Sequence, residues 1–424
     1  MTIEAKELSY FDMKENVSPN ERQGYYNKNL SKMVHLGYKK SPKVRQIFEE
    51  QNIDPSSIKS IKELVKLPII SREKLVKLER QEPPFGGFCS KDTDPDIIFT
   101  SPGPVYEPNF SGKDPIWARG FYAAGFRKED VVINTFSYHM VAAGLSFQNG
   151  LRRIGATVIP SGVSSTESQV QLIRDLGVTG YVGTPSFLMT IIKKAEDMGY
   201  NFKDDFKVRR ASFVAEPLQS SLRESFEKDF AIDTYQMYGA TEVGDIAYEC
   251  KQKDGWHVCE EVIVEIVDPA TGKQLSHGEL GEVVVTRLNN IFFLFRFGTG
   301  DLSRYIEGRC TCGRTSLRLA GISGRVGEAT KVRGMFIAPS QLKLVSSRFG
   351  ELRLQAVVDR EGFKDYLTVR VETGREDLSR TKLEREFENV FKEICTVKID
   401  KLEFIEKGTL SDSDVLIVDR RSWK

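Results

Sequence analysis

The pattern of apolar and polar positions changes along the chain and first predicts helices. Residues 1 to about 90 are rich in charged side chains and are punctuated by prolines. Within them, residues 41–51 place Val44, Ile47 and Phe48 at helical spacing, because neighbours on one helix face recur every three or four positions. The N-terminal part is therefore predicted to be helical.

From Asp96 onward, short β-branched runs alternate with amphipathic stretches that have helical spacing. The runs that read as buried strands are residues 131–134, 156–160 and 179–183. Strands that alternate with helices are typical of parallel βαβ units. This part of the chain is therefore predicted to form a parallel sheet of the α/β class.

Two further changes of pattern follow. Apolar runs at residues 261–267 and 282–285 flank a turn at 269–272, which predicts an antiparallel meander or a small barrel. After about Arg325, strand and helix patterns alternate again and indicate a small α+β domain.

Length and composition agree with more than one domain. The 424 residues exceed a single hydrophobic core. Lys and Arg number 61 against 60 acidic residues, and this balance argues against nucleic-acid or membrane-surface partners. No apolar signal sequence precedes the first domain, so we expect a cytoplasmic protein.

Four side chains have the chemistry of a structural zinc site. Cys250, His257, Cys310 and Cys312 supply three thiols and an imidazole, which would complete a closed tetrahedron. The pairs flank the predicted meander, so zinc would cross-link it. Alternatively, these side chains are buried for packing without a metal. Cys259 lies close enough in sequence to replace one ligand.

A run at positions 238–242 has the chemistry of a nucleotide site. Tyr238 can stack on adenine, and Gly239, followed by Ala240, lets a ligand approach the backbone. The Thr241 hydroxyl can hold a phosphoryl oxygen, and the Glu242 carboxylate can hold Mg²⁺. The alternative is an ordinary turn between a strand and a helix.

Together with further motifs in the same order, this run resembles the phenylacetate–CoA ligase family of adenylate-forming enzymes. Glu216 and Pro217 resemble the family's second adenine-contacting loop. Asp301, within residues 296–302, matches an Asp that accepts hydrogen bonds from the ribose hydroxyls. Arg325 matches a hinge residue near the ribose or phosphate. The family also carries a comparable Cys and His pattern.

The resemblance implies a large N-terminal domain, residues 1–325, whose part at about 245–320 is β-rich and contains zinc. It also implies a small, mobile α+β domain, residues 326–424, that rotates about residues 324–327 to admit CoA. Together these make an α/β protein with parallel βαβ sheets, a small meander or barrel, and a lid.

The resemblance also implies an acid-binding crevice at the carboxyl ends of the parallel strands. The residues assigned to it are Tyr138, His139, Ala142, Gly144, Thr184 and Pro185. His139 would act in catalysis with Thr241 and Glu242, although a buried core histidine is the alternative. Aromatic neighbours favour an aryl or otherwise apolar acid.

Two features with which the family handles ATP are missing. The family's phosphate loop ends in Gly-Lys-Pro. In residues 100–108 of this chain, Pro102 and Pro104 remove N–H donors, and Glu107 stands at the Lys position. Near the C-terminus, Asp414 or its neighbour replaces a Lys that stabilises the departing pyrophosphate. Gly327 replaces an Asp of the hinge.

Three functions therefore remain open. The first is a carboxylate–CoA ligase that acts through an acyl-adenylate, with Lys331 or Arg333 as a substitute cation. The second is ATP-independent acyl transfer between CoA and an acyl-carrier-protein thiol, and the third is a non-catalytic nucleotide-binding relative. The expected cofactors are structural zinc, Mg²⁺ with ATP or AMP, and CoA. The expected partners are a small carboxylic acid or its thioester, without nucleic acid or membrane, and a homodimer stays open.

Overall fold

The computed structural model describes most of the chain. The described residues are 10–101, 105–109, 116–269, 271–279, 281–322, 324–326, 330–333, 335–337, 339–350, 352–373, 380–395, 397–411 and 415–421. The two loop prolines, Gly327 and Asp414 lie outside these ranges. The chain divides into two compact units, Met1–Gly324 and Arg325–Lys424.

Eleven described helices contribute to the two units. They are α1 (Pro19–Lys40), α2 (Pro42–Glu50), α3 (Arg72–Gln81), α4 (Ala118–Ala123), α5 (Ala142–Arg153), α6 (Thr166–Asp175), α7 (Pro185–Asp197), α8 (Phe202–Asp205), α9 (Ser220–Lys228), α10 (Pro339–Arg348) and α11 (Arg380–Cys395). Side-chain caps fix where several begin, as where Ser71 accepts a hydrogen bond from the Lys74 backbone N–H at 3.2 Å. Within the described ranges, none of these helices combines the length and apolarity needed to cross a membrane.

The described strands belong to several sheets. They are β1 (Ile70–Ser71), β2 (Ile97–Ser101), β3 (Val105–Asn109), β4 (Val131–Asn134), β5 (Thr157–Ile159), β6 (Gly180–Gly183), β7 (Arg210–Phe213), β8 (Asp233–Ala240), β9 (Gly244–Glu249), β10 (Trp256–Val258), β11 (Val262–Val267), β12 (Gly281–Arg287), β13 (Phe297–Ser303), β14 (Tyr305–Ile306), β15 (Arg318–Leu319), β16 (Gly324–Arg325), β17 (Thr330–Val332), β18 (Met335–Ile337), β19 (Leu354–Glu361), β20 (Lys364–Thr373), β21 (Lys401–Glu406) and β22 (Ile417–Asp419).

A nine-stranded sheet dominates the N-terminal unit, in the order β14-β15-β10-β9-β8-β7-β6-β4-β5. Strands β5, β4, β6, β7 and β8 pair in parallel, and helices α5, α6 and α7 connect successive strands. The remaining strands pair antiparallel. The prediction of parallel βαβ units is confirmed, with β4, β5 and β6 in the predicted strand-like runs.

The predicted meander forms most of a second sheet, in the order β1-β13-β12-β11. Strands β11, β12 and β13 pair antiparallel, and β1 adds to the edge in parallel. In the described part of the chain, this sheet stays open and no barrel closes. The run Val262–Val267 of β11 is fully buried, which agrees with its largely apolar sequence.

The C-terminal unit has the predicted α+β architecture. Its four-stranded sheet has the order β21-β20-β19-β22, and β19 and β20 form a long antiparallel pair. Phe387 and Phe391 of α11 are fully buried in a core that includes Val369 of β20. This unit therefore has a hydrophobic core of its own, and its mobility stays a prediction.

Candidate active site and metal centre

Loops that follow parallel strands meet at one edge of the nine-stranded sheet. Backbone hydrogen bonds join them, from Thr135 N to Val182 O at 3.0 Å and from Val214 N to Gly183 O at 3.3 Å. Two residues in these loops have positive φ angles, Met140 at 64° and Ala215 at 70°. Such strained backbone persists only where surrounding contacts impose it, and it is common at ligand sites.

The residues assigned to the acid pocket form a connected group after β4. Asn134 donates one side-chain hydrogen bond to the Tyr138 hydroxyl and another to the Gly144 carbonyl, both at 2.9 Å. A Cβ at Gly144 would lie 2.5 Å from the Ser137 carbonyl oxygen, so only glycine fits at this position of α5. Ala142 begins the same helix. Burial raises the pKa of Tyr138, which therefore stays a neutral hydroxyl.

His139 is exposed, which rules out the alternative of a buried core histidine. On the neighbouring loop, Thr184 caps helix α7 and Pro185 is its first residue. Next to them, the Ser186 hydroxyl donates a hydrogen bond to the Glu216 carboxylate at 2.6 Å. This bond joins the loop after β6 to the predicted adenine loop after β7, which continues into Pro217.

Tyr238 and Asp301 lie in contact although they belong to different sheets. The Tyr238 hydroxyl donates a hydrogen bond to Asp301 Oδ2 at 2.9 Å. The Tyr238 ring is only 8% exposed because it packs against Trp256, with 5.8 Å between ring centroids. Sequence reasoning missed Trp256, and the only signal for it was an aromatic residue beside a predicted metal ligand, His257.

The predicted nucleotide run ends β8 and turns directly into β9. These strands pair antiparallel, so the turn joins two strands, and the alternative of a strand-to-helix turn is wrong. A Cβ at Gly239 would lie 2.5 Å from both the Gly244 carbonyl oxygen and the Trp117 ring. After Ala240, the Thr241 hydroxyl donates a hydrogen bond to the Glu242 carboxylate at 3.3 Å.

A chain of polar contacts leads from Glu242 to the counterpart of the phosphate loop. Glu242 Oε1 lies 2.9 Å from Arg72 Nη1, and Arg72 Nη2 donates a hydrogen bond to Ser101 Oγ at 3.0 Å. The Ser101 hydroxyl in turn donates to Glu107 Oε1 at 2.7 Å. Sequence reasoning gave Arg72 no role.

Two further acids are buried beside this chain of contacts. Burial, together with the negative charge of Glu242, raises the pKa of Glu107 to about 7. Burial, with the charges of Glu107 and Glu242, likewise raises the pKa of Glu79 to about 7. Arg72 opposes both shifts, so its guanidinium helps to balance these acids.

The four predicted zinc ligands come together in the folded chain. Their ligand atoms all lie within 4.8 Å of one another. Cys250 Sγ and Cys310 Sγ are 3.7 Å apart, and Cys312 Sγ lies 3.4 Å from His257 Nε2. A zinc tetrahedron has edges of about 3.8 Å between two sulfurs and about 3.6 Å between sulfur and nitrogen. The donor set and spacing therefore fit zinc.

Neighbouring groups prepare these side chains for a metal. A hydrogen bond from the Cys250 thiol, and another from His257, lower the pKa of Cys312, which favours the thiolate that a metal needs. Ser316 Oγ lies 3.4 Å from His257 Nδ1, so it can orient the ring. Cys259 lies outside the cluster, with its sulfur 3.5 Å from an Asp245 carboxylate oxygen.

The cluster cross-links a different part of the fold from the one predicted. Cys250 follows β9, His257 lies in β10, and Cys310 and Cys312 lie between β14 and β15. All four strands belong to the antiparallel half of the nine-stranded sheet. The expectation that zinc would cross-link the meander is therefore wrong, since β11, β12 and β13 lie in the other sheet.

The cations suggested as substitutes for the missing lysines lie in the C-terminal unit. Arg333 pairs there with Asp400, with 2.9 Å between Nη1 and Oδ1, so its charge is already balanced. The side chain of Lys331 lies outside the described parts. Arg325 is the first residue of the same unit.

Comparison with known proteins places the chain in a family. The AMP-binding enzyme family matches residues 115–291. The phenylacetate-coenzyme A ligase of Aromatoleum evansii is 30% identical over 96% of this chain and 96% of its own length. The Escherichia coli (strain K12) phenylacetate-coenzyme A ligase is 30% identical over 88% of this chain and 87% of its own.

A solved structure supports the same assignment at the level of the fold. The crystal structure of 2-hydroxyisobutyryl-CoA ligase, in complex with 2-HIB-AMP and CoA, superimposes with a TM-score of 0.88 and 21% identity. The match covers 99% of this chain and 94% of that chain. Sequence identity over nearly the whole length and a shared fold thus lead to one conclusion, that the chain belongs to the phenylacetate–CoA ligase family of AMP-binding enzymes.

Proposed function

We propose that this protein joins a small carboxylic acid to CoA through an acyl-adenylate. The observation that carries the proposal is the 30% identity to a phenylacetate-coenzyme A ligase over 96% of the chain. In the first step, the acid's carboxylate oxygen attacks the α-phosphorus of ATP and pyrophosphate leaves. In the second step, the CoA sulfur attacks the acyl carbon, loses its proton, and AMP leaves.

We assign the nucleotide to the edge where the loops meet. Asp301 accepts hydrogen bonds from the ribose hydroxyls, and its contact with Tyr238 supports this role by orienting the carboxylate. Residues that frame the adenine are Glu216, Pro217, Tyr238, Gly239 and Ala240. Thr241 holds a phosphoryl oxygen, and Arg325 binds near the ribose or phosphate.

Mg²⁺ belongs to Glu242 in this proposal, because a carboxylate beside the triphosphate suits a hard cation. Glu242 pairs with Arg72 in the structure. Binding of Mg²⁺ therefore requires Glu242 to exchange one positive partner for another. The exchange leaves Arg72 able to turn toward the phosphates.

The acid lies in the group formed by Tyr138, Ala142, Gly144, Thr184 and Pro185. A neutral Tyr138 suits an aryl or otherwise apolar acid. The exposed His139 borders the crevice, where it can act on the reacting carboxylate or the CoA thiol.

Zinc has a structural role in the proposal. Cys250, His257, Cys310 and Cys312 hold it in a closed site that leaves no position for substrate. When bound, the metal supplies a cross-link between short strands of the antiparallel half-sheet. Free thiols throughout the chain also fit a reducing cytoplasm.

The proposal divides the chain into an active-site domain, residues 1–325, and a mobile lid, residues 326–424. The compact units Met1–Gly324 and Arg325–Lys424, whose boundary lies one residue earlier, support this division. Rotation of the lid about residues 324–327 between the two steps would admit CoA after pyrophosphate has left. Limited proteolysis with and without ATP and CoA can follow this motion.

The test is product analysis with Mg²⁺, ATP, CoA and a panel of aryl and aliphatic acids. We expect mass spectrometry to detect acyl-CoA and AMP in equal amounts with at least one acid. Asp301→Ala should abolish both products, whereas Asp197→Ala, at an exposed helix end, should not. Acyl-CoA that forms from a thioester donor without AMP would contradict the proposal and favour ATP-independent transfer.

A further inference from the structure

The hairpin of β2 and β3 stands where the family's phosphate loop is expected, and it docks on helix α3. The docking uses both ends of one helix face, since Arg72 and Glu79 lie two turns apart. Arg72 donates to Ser101 Oγ at 3.0 Å, and Glu79 Oε2 accepts from the Tyr106 backbone N–H at 2.9 Å. Arg72 therefore brings a positive charge to this hairpin from a helix that precedes it.

We propose that Glu107 is a positioning residue that holds Arg72, through Ser101, for the β- and γ-phosphates of ATP. Glu107 occupies the position where the family carries a lysine. In this chain, Glu107 and Arg72, which is distant in sequence, together take over the role of that lysine. The inference rests on the proposed function, because it assigns Arg72 to the nucleotide of that same site.

The hydrogen-bond donors set the direction of this relay. A serine hydroxyl has one proton and two lone pairs. Ser101 gives its proton to Glu107 Oε1 at 2.7 Å, so a lone pair remains for the Arg72 N–H at 3.0 Å. A lysine at 107 could only donate to Ser101, so the hydroxyl proton would lose this acceptor and a second positive charge would enter the relay. Glu107 and Arg72 are therefore compatible in a way that lysine and Arg72 are not.

Because Glu107 is buried, its carboxyl group does not face a bound triphosphate in this proposal. Glu107 and Ser101 are each only 5% exposed, and Glu107 Oε1 is occupied by the serine. Arg72 keeps a side chain that is 30% exposed, so the cation lies on the accessible side of the relay. Buried hydrogen bonds of this kind are strengthened by the low local dielectric constant.

The two terminal nitrogens of Arg72 then have separate tasks. Nη2 donates to Ser101, and Nη1 pairs with Glu242 at 2.9 Å. When Mg²⁺ binds Glu242, Nη1 can move to a phosphate oxygen without loss of the Ser101 contact. A planar guanidinium suits such divided use, since its N–H donors point in fixed directions.

The test compares the dissociation constants of Mg²⁺·ATP and AMP by calorimetry, without acid or CoA. Arg72→Gln and Glu107→Lys should each weaken ATP about 10- to 100-fold, the range for a lost charge-assisted contact, and leave AMP unchanged. Glu107→Ala should weaken ATP by about 3- to 10-fold, while Glu107→Gln retains an acceptor and stays close to wild type. Lys77→Gln, on the exposed face of α3, is the matched control.

The double variant Arg72→Gln with Glu107→Lys gives the sharpest result. This variant has a lysine where the family carries one, and it lacks the arginine that would conflict with that lysine. Its affinity for ATP should therefore be at least about tenfold higher than that of the Arg72→Gln single variant. Wild-type ATP affinity in Glu107→Ala, or no recovery in the double variant, would overturn the proposal. If a charged variant fails to fold, Ser101→Ala interrupts the same relay and must weaken ATP but not AMP. A failure of the ligase reaction itself would leave these binding ratios intact.

Discussion

The phenol of Tyr238 donates a hydrogen bond to Asp301 Oδ2 at 2.9 Å, and this bond links the nine-stranded sheet to the sheet that contains β13. Tyr238 lies near the end of β8, and Asp301 lies in β13. The Asp301 backbone N–H donates in addition to Thr299 Oγ1 at 3.1 Å. Both contacts hold the carboxylate in the orientation that the ribose requires in the proposed function.

Tyr238→Phe should therefore weaken AMP and ATP equally, by about 3- to 10-fold, which corresponds to one lost hydrogen bond. Calorimetric titration with each nucleotide measures the effect. Tyr200→Phe is the control, since its hydroxyl contacts Arg174 on the exposed surface. A loss confined to ATP, or no loss at all, would show that Asp301 does not depend on Tyr238.

The purified protein should contain one zinc ion per chain, as metal analysis can measure. Cys310→Ser should lose the metal and lower the melting temperature by several degrees, because the antiparallel half-sheet loses its cross-link. Cys259→Ser should keep the metal, since that thiol lies beside Asp245 and outside the cluster. A zinc-free protein of unchanged stability would refute the assignment.

The free energy of unfolding should fall as the pH rises through the range in which Glu260 is protonated in the folded state but ionised in the unfolded state. Burial raises the pKa of Glu260 from 4.5 to about 8, although Arg119 lies 3.4 Å away. Between these values the folded chain keeps a proton that the unfolded chain loses, so the folded state becomes relatively less stable. The effect amounts to at most a few kcal/mol.

Glu260→Gln keeps a neutral side chain at all pH values and should escape this loss. The melting temperature of Glu260→Gln should therefore rise relative to that of the wild type as the pH increases from 5 to 8. Glu129→Gln, at an exposed position, should show no such trend. A constant difference between Glu260→Gln and wild type across this range would mean that Glu260 is ionised in the folded protein.

The sequence predicted the elements whose signal is local. Continuous β-branched runs such as Val131–Asn134 identified strands buried on both faces, and alternation with helices identified their parallel pairing. The approach of Cys250, His257, Cys310 and Cys312 to one another was also predicted, because three thiols and an imidazole are a donor set typical of zinc sites. The location of these four residues in the fold could not be predicted, because the pairing of β10 with β15 joins segments that are far apart in sequence.

The missed contacts of the candidate site are long-range in the same way. Arg72 lies far from Glu242 in the chain, and no periodicity relates the two residues. Glu107 looked repulsive to a triphosphate because its sequence neighbours do not show that it is buried and bonded to Ser101. Both the contact between Arg72 and Glu242 and the burial of Glu107 depend on the tertiary packing of α3 against the hairpin.

The most direct test of the account is exchange of labelled pyrophosphate into ATP, with Mg²⁺ and the acid that gives product. Exchange isolates the adenylation step, which a chain with Glu107 at the lysine position must still perform. We predict exchange that requires the acid, does not require CoA, and falls by at least about tenfold in Arg72→Gln. Formation of acyl-CoA without any acid-dependent exchange would contradict the acyl-adenylate route.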